Sequence, residues 1–169
     1  ELRSKYIKPF KESIKMGVGS IMVSYNSWKS QKLHGHKYLI NDVLKKELKF
    51  DGIVVSDWAG INELNKDYKT CIIQSINAGI DMNMVPGSLN PDDNSYDDFI
   101  RLAIESVKEG SIPMERIDDA VSRILRIKKK IGLFDNPIKK PKNTDVVGSK
   151  KHRELARKSV SKSLVILKN

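Results

Sequence analysis

Phe50-Asp51-Gly52-Ile53-Val54-Val55-Ser56-Asp57-Trp58 is a short apolar run that follows a glycine and stops abruptly at a carboxylate followed by a tryptophan. Runs this rich in β-branched residues suit a strand buried on both faces of a parallel sheet. In doubly wound sheets and (β/α)8 barrels, functional groups sit just past the carboxyl ends of such strands, where the chain turns outward. Asp57 is therefore placed like a catalytic group and Trp58 like a platform beside it. Position alone leaves a second reading open, because aspartate also commonly caps the helix that follows a strand.

Working outward, the chain alternates helical and strand-like patterns. Apolar residues at Leu2, Tyr6, Ile7, Phe10 and Ile14 predict a helix over 2–15. Val18 to Asn26 is a second β-rich run ending in polar residues and an aromatic, and a loop over 27–35 leads to a helix over 36–48 with Tyr38, Leu39, Val43, Leu44 and Leu48 inward. After the Asp57 rim, a helix over 68–78 precedes a third strand candidate at 79–85. A helix over 95–109 stops at Gly110, and another starts near Pro113, with Ile117, Ala120, Val121, Ile124, Leu125, Ile127 and Ile131 as its apolar face and Gly132 at its end. Residues 136–149 carry two prolines and no periodicity, which reads as a linker. Beyond them, 150–162 is helix-like and 163–168 strand-like. Successive βα units require a parallel sheet, and three strands cannot close a barrel. The fold class expected is α/β: the C-terminal part of a parallel (β/α)8 barrel plus the start of a second α/β sandwich domain.

Composition narrows the function classes. The chain has 169 residues, 39% of them hydrophobic, which is compatible with a packed core. No run approaches the roughly 18 consecutive apolar residues needed to span a bilayer, so no membrane contact is expected. The net charge of +10 invites a nucleic-acid reading until its distribution is counted: residues 128–169 hold 13 Lys/Arg against 3 Asp/Glu, and residues 1–127 hold 18 of each sign. The basic tail has few aromatics interleaved, so it reads as a solvated lysine-rich surface and no nucleic-acid partner is expected. Cys71 is the single cysteine and has no partner for an internal disulfide; a buried thiol is expected. His34 and His36 are two apart with no nearby cysteine, and Asp92, Asp93, Asp97 and Asp98 lack calcium-loop spacing, so no metal is expected.

Five segments together resemble glycoside hydrolase family 3, in its β-glucosidase and exo-β-glucanase branch: residues 20–26 (SIMVSYN), 44–58 (LKKELKFDGIVVSDW), 78–84 (AGIDMNM), 124–134 (ILRIKKKIGLF) and 152–169 (HRELARKSVSKSLVILKN). The resemblance runs from end to end and in order. It implies that residues 1–136 are the C-terminal part of the catalytic barrel, 137–149 an interdomain linker and 150–169 the start of an αβα sandwich domain, the rest of both domains being the missing partners. It further implies a retaining hydrolase releasing terminal β-D-glucose, with Asp57 as the nucleophile. Such chemistry needs two carboxyl groups about 5–5.5 Å apart, one ionised to attack and one protonated to donate, and neither step needs a cofactor or metal. Neighbouring donors or positive charge are expected to keep Asp57 in the attacking form.

Other roles follow from the same resemblance. Met22 and Tyr25 match positions lining the sugar pocket, the tyrosine hydroxyl holding the nucleophile's orientation, although Met22 also reads as plain core packing. Trp58 matches the aromatic that stacks on the sugar beyond the cleaved bond; by itself it is a rim aromatic with a wet polar end. Lys32, His34 and His36 match a loop of the branch without a catalytic duty, and helix capping or surface hydrogen bonding is expected of them. The family's acid/base and sugar-clamping residues fall outside 1–169, so the chain alone is expected to be inactive and prone to aggregate through open strand edges. Trp58 stands where the N-acetylglucosaminidase branch has an acidic residue, which disfavours that activity. A β-xylosidase and a non-catalytic carbohydrate- or polyanion-binding relic remain as alternatives, whereas no lysine at a strand end supports aldolase chemistry. A periplasmic or secreted location is compatible with the resemblance, and the sequence itself leaves the compartment unknown.

Overall fold

A computed structural model describes residues 1–87, 94–137 and 144–168. Asp92, Asp93 and the linker lysines Lys139, Lys140 and Lys142 lie outside the described residues. The chain divides into two compact units, Glu1–Gly132 and Leu133–Asn169.

The first unit begins with a wide π-type turn, Leu2–Tyr6, and helix α1, Lys8–Lys15. Strand β1 (Ser20–Met22) follows, then the two-residue strands β2 (Ser27–Trp28) and β3 (Gln31–Lys32) of a tight hairpin whose corner residues Lys29 and Ser30 are both left-handed. A π-type helix, Tyr38–Glu47, leads to strand β4, Ile53–Val55. β1 pairs with β4 in parallel, Met22 opposite Val55, and the segment after helix α2 (Tyr68–Ala78) joins the far side of β4 through a parallel Val55–Met82 bridge. The expected third strand over 79–85 is thus reduced to one bridge, although backbone bonds from Asp81 and Met82 to Val54 and from Ser56 to Met82 hold it alongside β4. The α/β arrangement with parallel strands agrees with the sequence reading.

The core wraps this small sheet. Val23, Ile40, Leu44, Phe50, Val54, Ile61, Cys71, Ile72, Ile76, Ile80 and Ile112 form one buried cluster, with Cys71 a free thiol as expected. Burying each such aliphatic side chain contributes about 1.5–3 kcal/mol, so the sheet is held chiefly by its neighbours' side chains. Tyr38, expected to face inward, is instead exposed and stacks on Trp28; Val43 and Leu44 are buried as expected, and Ile40 and Lys45 join them on the inner side. The π-type winding, with hydrogen bonds spanning five residues in place of four, shifts the edges of the face that the 3.6 period predicts. Helix α3 (Tyr96–Lys108) starts at a capping box between Ser95 and Asp98 and gives way to a left-handed Gly110. Helix α4 (Met114–Lys130) ends before a left-handed Gly132, with Pro113 one residue earlier than expected, at the N-cap. Part of its apolar face is exposed, at Val121, Leu125 and Ile131.

Helix α4 also anchors the strand that carries Asp57. Arg123 donates from Nη1 to the carbonyls of Phe50 (2.9 Å) and Gly52 (3.1 Å), and Arg126 donates to that of Asp51 (3.0 Å). Arg116 pairs with Asp81, whose side chain is fully buried and also takes the Lys45 ammonium at 2.6 Å and the Val54 amide at 2.8 Å. Burial outweighs the Asp81 carboxylate and draws Lys45 below the ordinary lysine value. Gly52 is obligatory at this corner, because a Cβ there would overlap the Gly19 carbonyl oxygen and the Phe50 ring.

In the second unit, helix α5 spans Lys150–Ser163 behind a Ser149 cap. The expected strand over 163–168 is not formed: Ser163 closes the helix, and Leu164 to Leu167 are exposed. A strand requires a partner ladder, and none of the described residues supplies one.

Candidate active site

Asp57 lies two residues past the carboxyl end of β4, on a tight rim that the fold pins from several directions. The Asp57 carbonyl accepts from Gly60 N–H (3.1 Å) and from the Ser56 hydroxyl (3.0 Å), while Ser56 Oγ accepts from Met84 N–H at 2.7 Å. Ala59 N–H donates to the Met84 carbonyl at 3.0 Å, and Ala59 itself is left-handed at φ 52°. A non-glycine residue in that region carries strain of order 1–3 kcal/mol, of the kind that clusters at functional rims. The Asp57 carboxylate accepts the Trp58 amide at Oδ1 (2.7 Å), and among the described residues no hydrogen bond reaches Oδ2.

Beneath the rim lies His34. The hairpin returns the chain so that Tyr25, before β2, and His34, after β3, come together with ring centroids 5.8 Å apart. The imidazole is 1% exposed, and its Nε2 accepts the Asp57 amide at 3.0 Å. Burial lowers the His34 pKa; the Asp57 and Glu63 carboxylates oppose that shift and Lys32 adds to it. The surface role expected of His34 is therefore corrected: it is buried and bonded to the rim, because the hairpin folds it under β4's end. His36 is also buried, and its Nδ1 accepts the Leu39 amide at 3.4 Å, a weak cap of the helix it precedes. Lys32 pairs with Glu63.

The other expected site residues lie at, or a few residues past, the carboxyl ends of β1 and β4. Met22 ends β1 opposite Val55 and is half exposed, which corrects the core-packing alternative. Tyr25 is partly exposed, and desolvation with the nearby Asp57 and Glu63 charges raises its pKa, so its hydroxyl stays a neutral donor. Trp58 is 60% exposed, its indole free to present a face. A groove of about 590 Å³ lined by Gln31, Lys32, Gly35, Glu63, Gln74 and Asn77 contains none of Met22, Tyr25, Asp57 or Trp58. No cluster of three or more metal-ligating side chains occurs among the described residues.

A carboxylate, a neutral phenol and an exposed indole thus lie at or near the carboxyl ends of the two paired parallel strands. The Glycosyl hydrolase family 3 N-terminal domain matches residues 1–127, and the chain belongs to that family. It is 35% identical over 99% of its length to a lysosomal β-glucosidase of Dictyostelium discoideum, covering 21% of that protein, and 34% identical over 99% to a β-xylosidase of Formosa agariphila, covering 24%. Among solved structures, an exo-1,3/1,4-β-glucanase from a Pseudoalteromonas species superposes with a TM-score of 0.74 at 39% identity, over 96% of this chain and 20% of that one. A β-glucosidase from Listeria innocua in complex with glucose gives 0.72 at 26% identity, over 95% and 22%. The chain thus spans about a fifth to a quarter of its relatives.

Proposed function

We propose that this chain carries the nucleophile of a retaining β-glucosidase-type hydrolase, Asp57, and forms the C-terminal part of its (β/α)8 barrel over 1–136, a linker over 137–149 and the start of a second, αβα domain over 150–169. The observation that carries this reading is the Asp57 carboxylate, immobilised past the end of a buried parallel strand with one oxygen free of hydrogen bonds among the described residues. In the first step Asp57 attacks the anomeric carbon, the glycosidic C–O bond breaks, and a carboxylic acid from outside residues 1–169 gives its proton to the departing oxygen. Water then attacks the glycosyl ester, surrenders its proton to that same group, and frees Asp57. Tyr25 donates toward the reacting centre, Met22 lines the sugar's apolar side, and Trp58 stacks on the sugar beyond the cleaved bond.

The test uses the polypeptide carrying this segment within a complete barrel and second domain, treated with 2-deoxy-2-fluoro-β-glucosyl fluoride and mapped by peptide mass spectrometry. A glucosyl adduct on Asp57 is expected. An adduct on another residue overturns the nucleophile assignment, and absence of both adduct and turnover favours a non-catalytic binding relic. The 169-residue chain alone is expected to leave an aryl β-glucoside intact; turnover abolished by Asp57→Ala would overturn that expectation. The 34% identity to a β-xylosidase supports a second reading, in which xylosides are turned over faster than glucosides.

A further inference from the structure

We infer that His34 is a positioning residue for Asp57, its neutral imidazole accepting the Asp57 amide and thereby fixing where the carboxylate points; this rests on the nucleophile reading above. The hydrogen bond requires a bare Nε2, so the ring proton resides on Nδ1, which finds no partner among the described residues. A buried, unpaired N–H of this kind is costly, and the opposite tautomer would set two N–H groups against each other at the rim. The imidazole is enclosed rather than incidental: Gly60, three residues past Asp57, lacks the Cβ that would overlap Nε2 and Cε1, and the Tyr25 ring covers another side.

The ionisable groups nearest the ring are Asp57, Glu63, Lys32 and Tyr25. One residue thus touches both the strand-end rim and the ring of Tyr25, just before the hairpin, so it fixes the nucleophile and the phenol relative to each other. Misplacing a reacting atom by about 1 Å costs on the order of 100-fold in rate, the scale on which such a support acts.

The experiment compares His34→Leu, which removes the acceptor, with His34→Gln, whose Oε1 reaches the position of Nε2, in the same longer polypeptide. For His34→Leu, kcat is expected to fall about 10- to 100-fold with little change in KM, and His34→Gln is expected to restore most of it. Unchanged kcat in His34→Leu, or equal losses in both variants, overturns the inference, since a purely structural role would lower thermal stability without the kcat-specific rescue. If His34→Leu does not fold, nitrogen NMR of the wild-type imidazole decides: protonated Nδ1 with bare Nε2 supports it, and the reverse tautomer overturns it. Mapping the fluoroglucosyl adduct in wild type separates the two ideas, because an adduct away from Asp57 refutes the nucleophile whatever the His34 variants do.

Discussion

Gly60 and His34 compete for one volume, and the competition has a measurable size. Gly60→Ala is expected to push the imidazole off the Asp57 amide and to destabilise by about 1–3 kcal/mol, read as a lowered urea midpoint. His34 also sets a pH dependence. Its folded pKa is lowered by burial from about 6.5, so between the two values the unfolded chain binds more protons, and the stability it contributes is present above about pH 6.5 and lost as pH falls through the folded value. His36, likewise lowered by burial, adds a slope of the same sign. Urea titrations from about pH 7 down to 5 are expected to show a shallower decline for His34→Gln than for wild type, by the His34 share alone. The place of Asp57 just past a buried parallel strand was legible from the apolar run that precedes it, whereas position alone did not separate a site carboxylate from a helix cap. His34 was not, because a histidine in a polar hairpin reads as surface; the usable signal was the long-range pairing of a His-Gly step with a glycine just after the Asp-Trp rim.

Helix α4 works as a polar clamp more than as an apolar plank. Its Arg116, Asp119, Arg123 and Arg126 follow helical spacing, and in sequence such a row reads as a solvated face. In the structure Arg116 and Arg123 are largely buried and reach Asp81 and the carbonyls before β4. Asp81→Ala is expected to cost roughly 3–5 kcal/mol, because Lys45 and Arg116 lose their buried counter-ion; Asp81→Asn should lose less, retaining an acceptor for Val54 N–H. Denaturant unfolding of both variants checks this ordering. Helix ends were legible where local chemistry sets them, as at Ser95 and Gly110. The strand over 163–168 was not, because strand formation depends on a partner that local sequence cannot specify.

Across the whole chain, the parallel α/β pattern was readable from alternating periodicities, whereas the extent of each strand was not. Exposure of Tyr6, Phe10, Val121, Leu125 and Ile131 in the first unit, and of Leu164 to Leu167 in the second, leaves much apolar surface in water. Apolar segments without a partner promote association between chains. The isolated chain is expected to self-associate at micromolar concentration in size-exclusion chromatography with light scattering. Val165→Lys with Leu167→Lys should shift it toward monomer; no shift would assign the association to the first unit.

The Asp81 cluster also sets an order of events on the ribosome. Lys45 is already available when Asp81 emerges, but Arg116 is synthesised 35 residues later. A nascent chain stalled before α4 leaves the tunnel therefore holds Asp81 with only one of its two cationic partners, together with uncapped carbonyls at Phe50 and Gly52. Protease resistance of the segment bearing Asp57 should then appear in one step as α4 clears the exit, so the timing of translation governs when the rim past β4 first acquires its shape.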